Sequence, residues 1–408
     1  MRRVLIDDPA VDGALLVRDL RAAGPSGTGE VLARAGMRLT TRSARALREH
    51  GIGVAFIEDA GCVGLTIRPL VDLEGDDAGL ARALRETFAV VAKFTESAAR
   101  NPTSRAVEDL KELRHVQALD ASGALELLRQ SVAAFVARSG AIDGSAGFLT
   151  ERQAGDDLIG HTLGVVAITS RIGSAVGFAE PDLHAAALSA ALHDIGMLMV
   201  PEEIRRTPQA QRTAAQRRRY EDHTMLGEAV LRPLARRSPA LSIVALEHHE
   251  DQAGGGYPLG ITGGNRVLRA APQGPDAPRR LALVSEVIAV ADRYERLVSP
   301  QPGVAALSPA TARRVVANEA GARLNAEVVG RFLDLVPPLP LGTEVSVTGG
   351  EYDGARGVVV KLDPAHLDRP VVRLFAARHG ATFTPVDLTM AAEPASVRLA
   401  IVDETRAA

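Results

Sequence analysis

Cysteine is all but missing from this chain. Cys62 stands alone in 408 residues, which excludes an intrachain disulfide framework and any thiolate metal cluster. Any metal must therefore be held by histidine and carboxylate side chains. Lysine is nearly as scarce: Lys93, Lys111 and Lys361 are the only ones, and every other basic side chain is an arginine. Missing too is a run of about 18 uninterrupted apolar residues, the length that reads as a membrane-spanning helix. The opening MRRVLIDDPA has two arginines and no apolar run behind them, so a cytoplasmic protein with no membrane partner is expected. Nor is there an excess of one charge: Lys+Arg 47 against Asp+Glu 50 leaves a net charge of -3. That near balance offers no general attraction to a nucleic acid polymer.

What is present is the composition of a folded chain, 46% hydrophobic and 24% charged, long enough for two to four domains at roughly 100 to 200 residues each. Residues 1–75 alternate short β-type runs (VLI, LLVRDL, VAFIE, LTIRPLV) with glycine-rich breaks and one helical stretch, TTRSARALREHG, predicting a small N-terminal α+β module of regulatory type. Over 76–141 the apolar residues Leu80, Leu84, Phe88 and Val91, then Leu125, Leu128, Val132 and Phe135, recur at helical spacing. That segment reads as a helical linker or as a means of joining or dimerising modules. Residues 142–336 are expected to form an all-α domain, with Pro181, Pro239 and Pro309 near helix starts and Gly177, Gly196 and Gly321 near helix ends. The stretch AAPQGPDAPRR within it reads as a surface loop. Residues 337–408 turn to strands (TEVSVTG, RGVVVKL, RPVVRLF, SVRLAIV), a small C-terminal β-rich module.

Six of the ten histidines, at 161, 184, 193, 223, 248 and 249, fall in one stretch where even scatter would put about two. Neutral imidazole is the commonest protein metal ligand. His161 lies in an amphipathic helix, His193-Asp194 ends an apolar helix, His223 lies in YEDHTMLGEAV and His248-His249 precede a glycine-rich stop. Asp292 sits in the apolar helix VIAVADRY, where an unpaired carboxylate is strongly disfavoured and a metal is the natural partner. These seven residues are too many for one ion. Two ions sharing Asp194 would each receive four: His161, His193, Asp194 and Asp292 on one, and Asp194, His223, His248 and His249 on the other. That is the layout of two-metal hydrolysis, in which an activated hydroxide attacks phosphorus. His184 reads as an ordinary helix histidine, and His50, His115, His366 and His379 stand alone. Arg217, Arg218 and Arg219 form a solvated helix face or meet substrate phosphates. Asp157, four residues before His161, is a surface carboxylate or a further ligand.

Taken in order, these residues resemble the HD-GYP family, a branch of the HD metal-dependent phosphohydrolases. The resemblance runs from about Asp157 to Ser299, through His161-Thr162, LHDIG at 192–196, His223-Thr224 with Gly227, His248-His249-Glu250, Gly256-Tyr257-Pro258-Leu259-Gly260 and AVAD at 289–292. It implies an all-α domain around two or three divalent transition-metal ions, often iron or manganese, with Asp157 bearing on the third. It also implies hydrolysis of cyclic diguanylate, with His193 and Asp194 at the catalytic centre and Gly256, Tyr257 and Pro258 bordering the substrate.

The chain also departs from the family's pattern. Met197, Thr207, Gln301 and Val304 stand at or beside positions where the family carries cations. Arg205 or Arg206, with Arg266 and Arg269 as further candidates, would then have to face the substrate phosphates. The expectation is a metal-dependent phosphodiesterase for a cyclic dinucleotide, with a homodimer through the helical segment as a further expectation. The alternatives are a signalling or binding protein with a degenerate phosphate clamp, or a phosphohydrolase for another small phosphoester.

Overall fold

The computed structural model describes residues 2–6, 11–17, 19–21, 31–50, 52, 54–58, 71, 77–110, 114–139, 157–234, 238–267, 279–299, 301–304, 306–363, 366–378 and 380–402. Near the N-terminus β1 (Arg2–Leu5), β2 (Leu20–Arg21), β3 (Val31–Ala33), α1 (Thr41–Glu49) and β4 (Val54–Ile57) follow one another. β1 pairs antiparallel with β4, and β2 with β3. Helix α1 starts where it does because the Thr40 and Ser43 side chains cap each other's backbone amides. Val11, Leu16, Leu39, Leu47, Ala55 and Ile57 are buried together beneath these elements. Residues 65–70 of the expected strand LTIRPLV lie outside the described residues.

The helical unit comprises Val71–Ile142 and Leu158–Leu335. It opens with α2 (Ala78–Ala99), α3 (Thr103–Asp109), α4 (Arg114–Ser122) and α5 (Ala124–Ser139). The segment expected as a linker at 76–141 thus lies in the same compact unit as the later helices. These are α6 (Asp157–Val176), α7 (Glu180–Leu192), α8 (Glu202–Arg206), α9 (Ala214–Glu221), α10 (His223–Leu231), α11 (Pro239–Glu247), α12 (Leu283–Val298), α13 (Pro309–Asn318) and α14 (Ala326–Leu335). Pro181, Pro239 and Pro309 all sit in first turns, where the missing N–H is no loss. Gly177 ends α6 at φ 92°, a conformation costly for residues with a Cβ.

From Ala186 to Leu192 every residue of α7 is buried, as befits a helix packed on all sides. α11 and α5 pack against it, α10 packs against α11, and α2 packs against the tight turn Ile195–Met199. α6 is long and apolar enough to cross a membrane, but 72% of its apolar stretch is buried inside the fold. It is a core helix. Most of the surface-loop stretch at 270–280 lies outside the described residues.

The C-terminal strands β5 (Glu344–Thr348), β6 (Arg356–Lys361), β7 (Val371–Ala376), β8 (Thr382–Thr389) and β9 (Arg398–Ile401) form an antiparallel sheet in the order β8-β7-β6-β5-β9. Alternating residues Val345, Val347, Val359, Val372 and Leu374 give it a buried face. The sequence pattern does not reveal β8, whose run includes Pro385. An edge position explains how that proline is accommodated, because an edge strand has amides with no ladder partner to lose.

Candidate metal centre

Three helix ends and two helix interiors build the site. His161 comes from the second turn of α6 and Asp292 from the middle of α12. His193 caps the C-terminus of α7 and Asp194 comes next; His223 opens α10, and His248 caps α11 with His249 beside it. The convergence depends on glycine. A Cβ on Gly196 would lie 2.0 Å from the carbonyl oxygen of His223 and 2.6 Å from the Gly227 nitrogen. Only a residue without one lets the turn after Asp194 lie directly on α10.

The seven residues fall into two groups of four sharing Asp194: His161, His193, Asp194 and Asp292, and Asp194, His223, His248 and His249. Within each group one nitrogen or oxygen atom per residue lies within 4.8 Å of all the others. Asp194 faces both ways. Its Oδ1 is 3.2 Å from His223 Nε2 and 3.5 Å from His248 Nε2. Its Oδ2 is 3.5 Å from the Nε2 atoms of both His161 and His193. Asp292 Oδ1 lies 2.9 Å from His161 Nε2 and 3.7 Å from His193 Nε2.

The rings are oriented from behind. Nδ1 of His193 donates to the carbonyl of Ala190 at 2.7 Å, that of His223 to Tyr220 at 2.7 Å, and that of His248 to Val244 at 3.0 Å. His161 Nδ1 contacts the carboxylate of Glu295, whose other oxygen accepts from Ser299 Oγ at 2.6 Å. Carbonyls only accept, so His193, His223 and His248 each carry a proton on Nδ1 and turn Nε2 inward. The Nε2 atoms of His161, His193 and His249 and Asp194 Oδ1 are buried without a hydrogen-bond partner. His161 Nε2 is among them although Asp292 Oδ1 is close, because the contact lacks hydrogen-bond geometry. His223 and His248 bring their Nε2 atoms to 3.4 Å of one another. Converging Nε2 atoms, four of them on rings whose Nδ1 is anchored, fit a divalent cation, and this donor set suits iron, manganese or zinc.

The electrostatics agree. Burial opposes ionisation of Asp194, but His193 and Arg296 outweigh it and hold the carboxyl well below its ordinary value. Burial likewise opposes charge on Asp292, and Arg296 with His161 and His193 overcomes it. His249 is pushed well below the usual imidazole value by burial and by His248, so it is neutral and available as a donor. For His161, burial and Arg296 favour the neutral ring, but Glu295, Asp194 and Asp292 prevail and raise it to about 9.

Two residues here were missed by sequence reasoning. Glu295 is fully buried behind His161. Arg296 extends into the site, its Nε donating to Asp292 Oδ1 at 2.8 Å and its Nη2 to Asp194 Oδ2 at 2.9 Å, with Tyr220 Oη 3.4 Å from Nη1. Their positions three and four residues after Asp292, on the same helix face, were the available clue.

The expected substrate contacts are placed less tightly. Tyr257 stacks on His249 with ring centroids 4.9 Å apart, so the Gly256-Tyr257-Pro258 loop borders the second ligand group. Glu250 fixes the far side of that loop by accepting from the amides of Leu259, Gly260 and Ile261. Arg206 is exposed and pairs with Glu202 at 3.3 Å, Arg205 is half-buried with its Nε unpartnered, and the Arg266 side chain is exposed. Among the described residues, no contact brings any of these three to the ligand groups. Arg269 and the side chain of Asp157 lie outside the described residues. Met197 packs with Val200, Ile204, Leu158 and Tyr220, so its apolar character is used in packing. Gln301 and Val304 close a tight turn, and a Cβ on Gly303 within it would meet Pro208 at 2.8 Å. Of the arginine triple, Arg217 and Arg218 are exposed. Arg219 donates to Thr103 Oγ1 at 2.8 Å and, through one nitrogen, to the carbonyls of Ala99 at 3.0 Å and Met199 at 3.1 Å.

Residues 138–268 match the HD domain family. A cyclic di-GMP phosphodiesterase of Pseudomonas aeruginosa is 26% identical over 215 residues, 53% of this chain and 47% of that protein. A second, from Thermotoga maritima, is 29% identical over 178 residues, 43% of this chain and 44% of its own. The matched stretch therefore spans less than half the length of either relative. An HDG"Y"P protein from Bdellovibrio bacteriovorus superposes with a TM-score of 0.43 at 12% identity, over 82% of this chain and 98% of that one. That likeness is too loose to bear on the fold.

Proposed function

We propose that this chain, which carries an HD domain, is a metal-dependent phosphodiesterase acting on a cyclic dinucleotide, with cyclic diguanylate the first candidate. The observation that carries the reading is the pair of ligand groups meeting at Asp194, with inward Nε2 atoms and oriented rings. His161, His193, Asp194 and Asp292 would hold one ion; Asp194, His223, His248 and His249 would hold the other. Divalent ions bound there lower the pKa of water and neutralise charge on phosphoryl oxygens.

The chain's own residues supply position and polarity. The backbone carbonyls orient His193, His223 and His248, and Glu295 orients His161, so these donor atoms need little rearrangement. Asp194, ionised and buried, presents one oxygen to each group and sets their separation. Tyr257, held over His249, forms a wall of the site, and Glu250 keeps the adjoining loop in place through three amides. Iron or manganese are the ions we assign, and the N-terminal elements we assign to a regulatory module.

The test is turnover of cyclic diguanylate by purified, metal-loaded protein. Release of the linear dinucleotide or GMP, lost in Asp194→Ala, is the expected result. A chain that holds its metals and binds the dinucleotide without cleaving it would instead be a binding protein. Apolar packing of Met197 and the uncharged turn at Gln301 favour that second reading.

A further inference from the structure

We propose that the Arg296 guanidinium holds the cation position of the group His161, His193, Asp194 and Asp292. The other group then binds its metal first, and this one accepts an ion only by displacing the arginine. The inference rests on the binuclear reading above and assigns the two sites unequal affinities.

The asymmetry lies in individual atoms. Asp292 Oδ1 and Asp194 Oδ2 are the oxygens turned toward His161 and His193. They are also the two oxygens that accept from Arg296, at 2.8 and 2.9 Å. A guanidinium does not release its charge by deprotonating, so a metal approaching these oxygens meets a cation already bound to them. In the other group the facing oxygen is Asp194 Oδ1, which is buried and accepts no hydrogen bond. Nothing positive stands between it and the Nε2 atoms of His223 and His248 among the described residues. That half of the site is ready for an ion, and the first half is plugged.

The plug is removable. The Arg296 side chain is 21% exposed, so it has a way out toward solvent. Tyr220 Oη contacts its third nitrogen, and the Arg212 guanidinium lies 3.7 Å above the Tyr220 ring. Occupancy of the second metal position is therefore coupled to where this one side chain goes.

The experiment titrates the metal-free full-length chain with Mn2+, followed by calorimetry and by electron paramagnetic resonance. The unmodified chain should take up one equivalent tightly, with the spectrum of isolated Mn2+, and a second at least about tenfold more weakly. In Arg296→Met the second event should tighten by at least about tenfold, and the spectrum of an exchange-coupled pair should appear at lower metal. Arg296→Lys, which keeps the charge but not the fork, should stay near the unmodified chain. Should Arg296→Met fail to fold, Arg296→Gln is read in the same way. Two equal sites in the unmodified chain, or an unchanged second affinity in a folded variant without the charge, would overturn the proposal while leaving the binuclear reading intact. Uptake of no Mn2+ by any of these proteins would overturn both.

Discussion

Glu295 offers no donor atom to the ligand groups, yet His161 is oriented by it. Replacing its carboxylate with an amide keeps an acceptor but loses the charge that makes His161 a stronger donor. Glu295→Gln should weaken metal binding by roughly tenfold to a hundredfold, measured by titration against a competing chelator. Asp194→Ala should lower occupancy of both ions, whereas His223→Ala should mainly affect one, and elemental analysis separates the two patterns. The same groups set a pH dependence in the metal-free chain. His161 is raised from 6.5 to about 9 on folding, so its contribution to stability is full below pH 6.5 and is lost as pH rises toward 9. Asp194 and Asp292 are lowered from 3.8, so theirs is full above that pH and lost in acid. Urea midpoints of metal-free protein should therefore fall between pH 6.5 and 9, and saturating metal, which takes the proton's place, should flatten that fall. The seven ligand candidates were legible because histidine and aspartate in apolar helices have few other uses. Glu295 and Arg296 were not, because charged residues near a helix end usually face water, and only the burial of that face of α12 distinguishes them.

Where α10 meets the turn after Asp194, the backbones touch. Gly196→Ala must separate them, and overpacking of this kind costs about 1 to 3 kcal/mol or more. It should also lower metal content, because His193-Asp194 and His223 would move apart. Gly227→Ala, whose Cβ would meet only ordinary neighbours, the nearest Ala245 Cβ at 3.4 Å, should cost far less in the same denaturation assay. Element boundaries were legible wherever proline or glycine had a backbone reason to be present, as at Pro181, Pro239, Pro309 and Gly177. The missed strand β8 shows the limit. Its run has a proline and largely exposed side chains, so it carries neither alternation nor a continuous apolar signal, and its partner β7 determines it.

At the scale of the chain, the helical unit extends back to Val71. The spacing of Leu80, Leu84, Phe88 and Val91 identified a buried face, and all four are buried. What that face covers was not legible, because periodicity specifies a stripe and not its partner. α2 covers the turn after Asp194 and α5 covers α7. A fragment of residues 71–335 should therefore fold and bind metal, while one of residues 142–336 should expose those faces and lose both properties. Circular dichroism and metal analysis of the two fragments check this.

Arg219 turns α2 into a lever. This helix of 22 residues is a rod about 33 Å long, and a single guanidinium nitrogen bonds both the carbonyl of Ala99 at its end and that of Met199. Met199 closes the turn that begins one residue after Asp194. A push or twist that moves the end of the rod must either break a charge-assisted hydrogen bond or drag Met199 along with it. The Ala99 end of α2 and the floor of the candidate metal centre are thus tied together through one side chain.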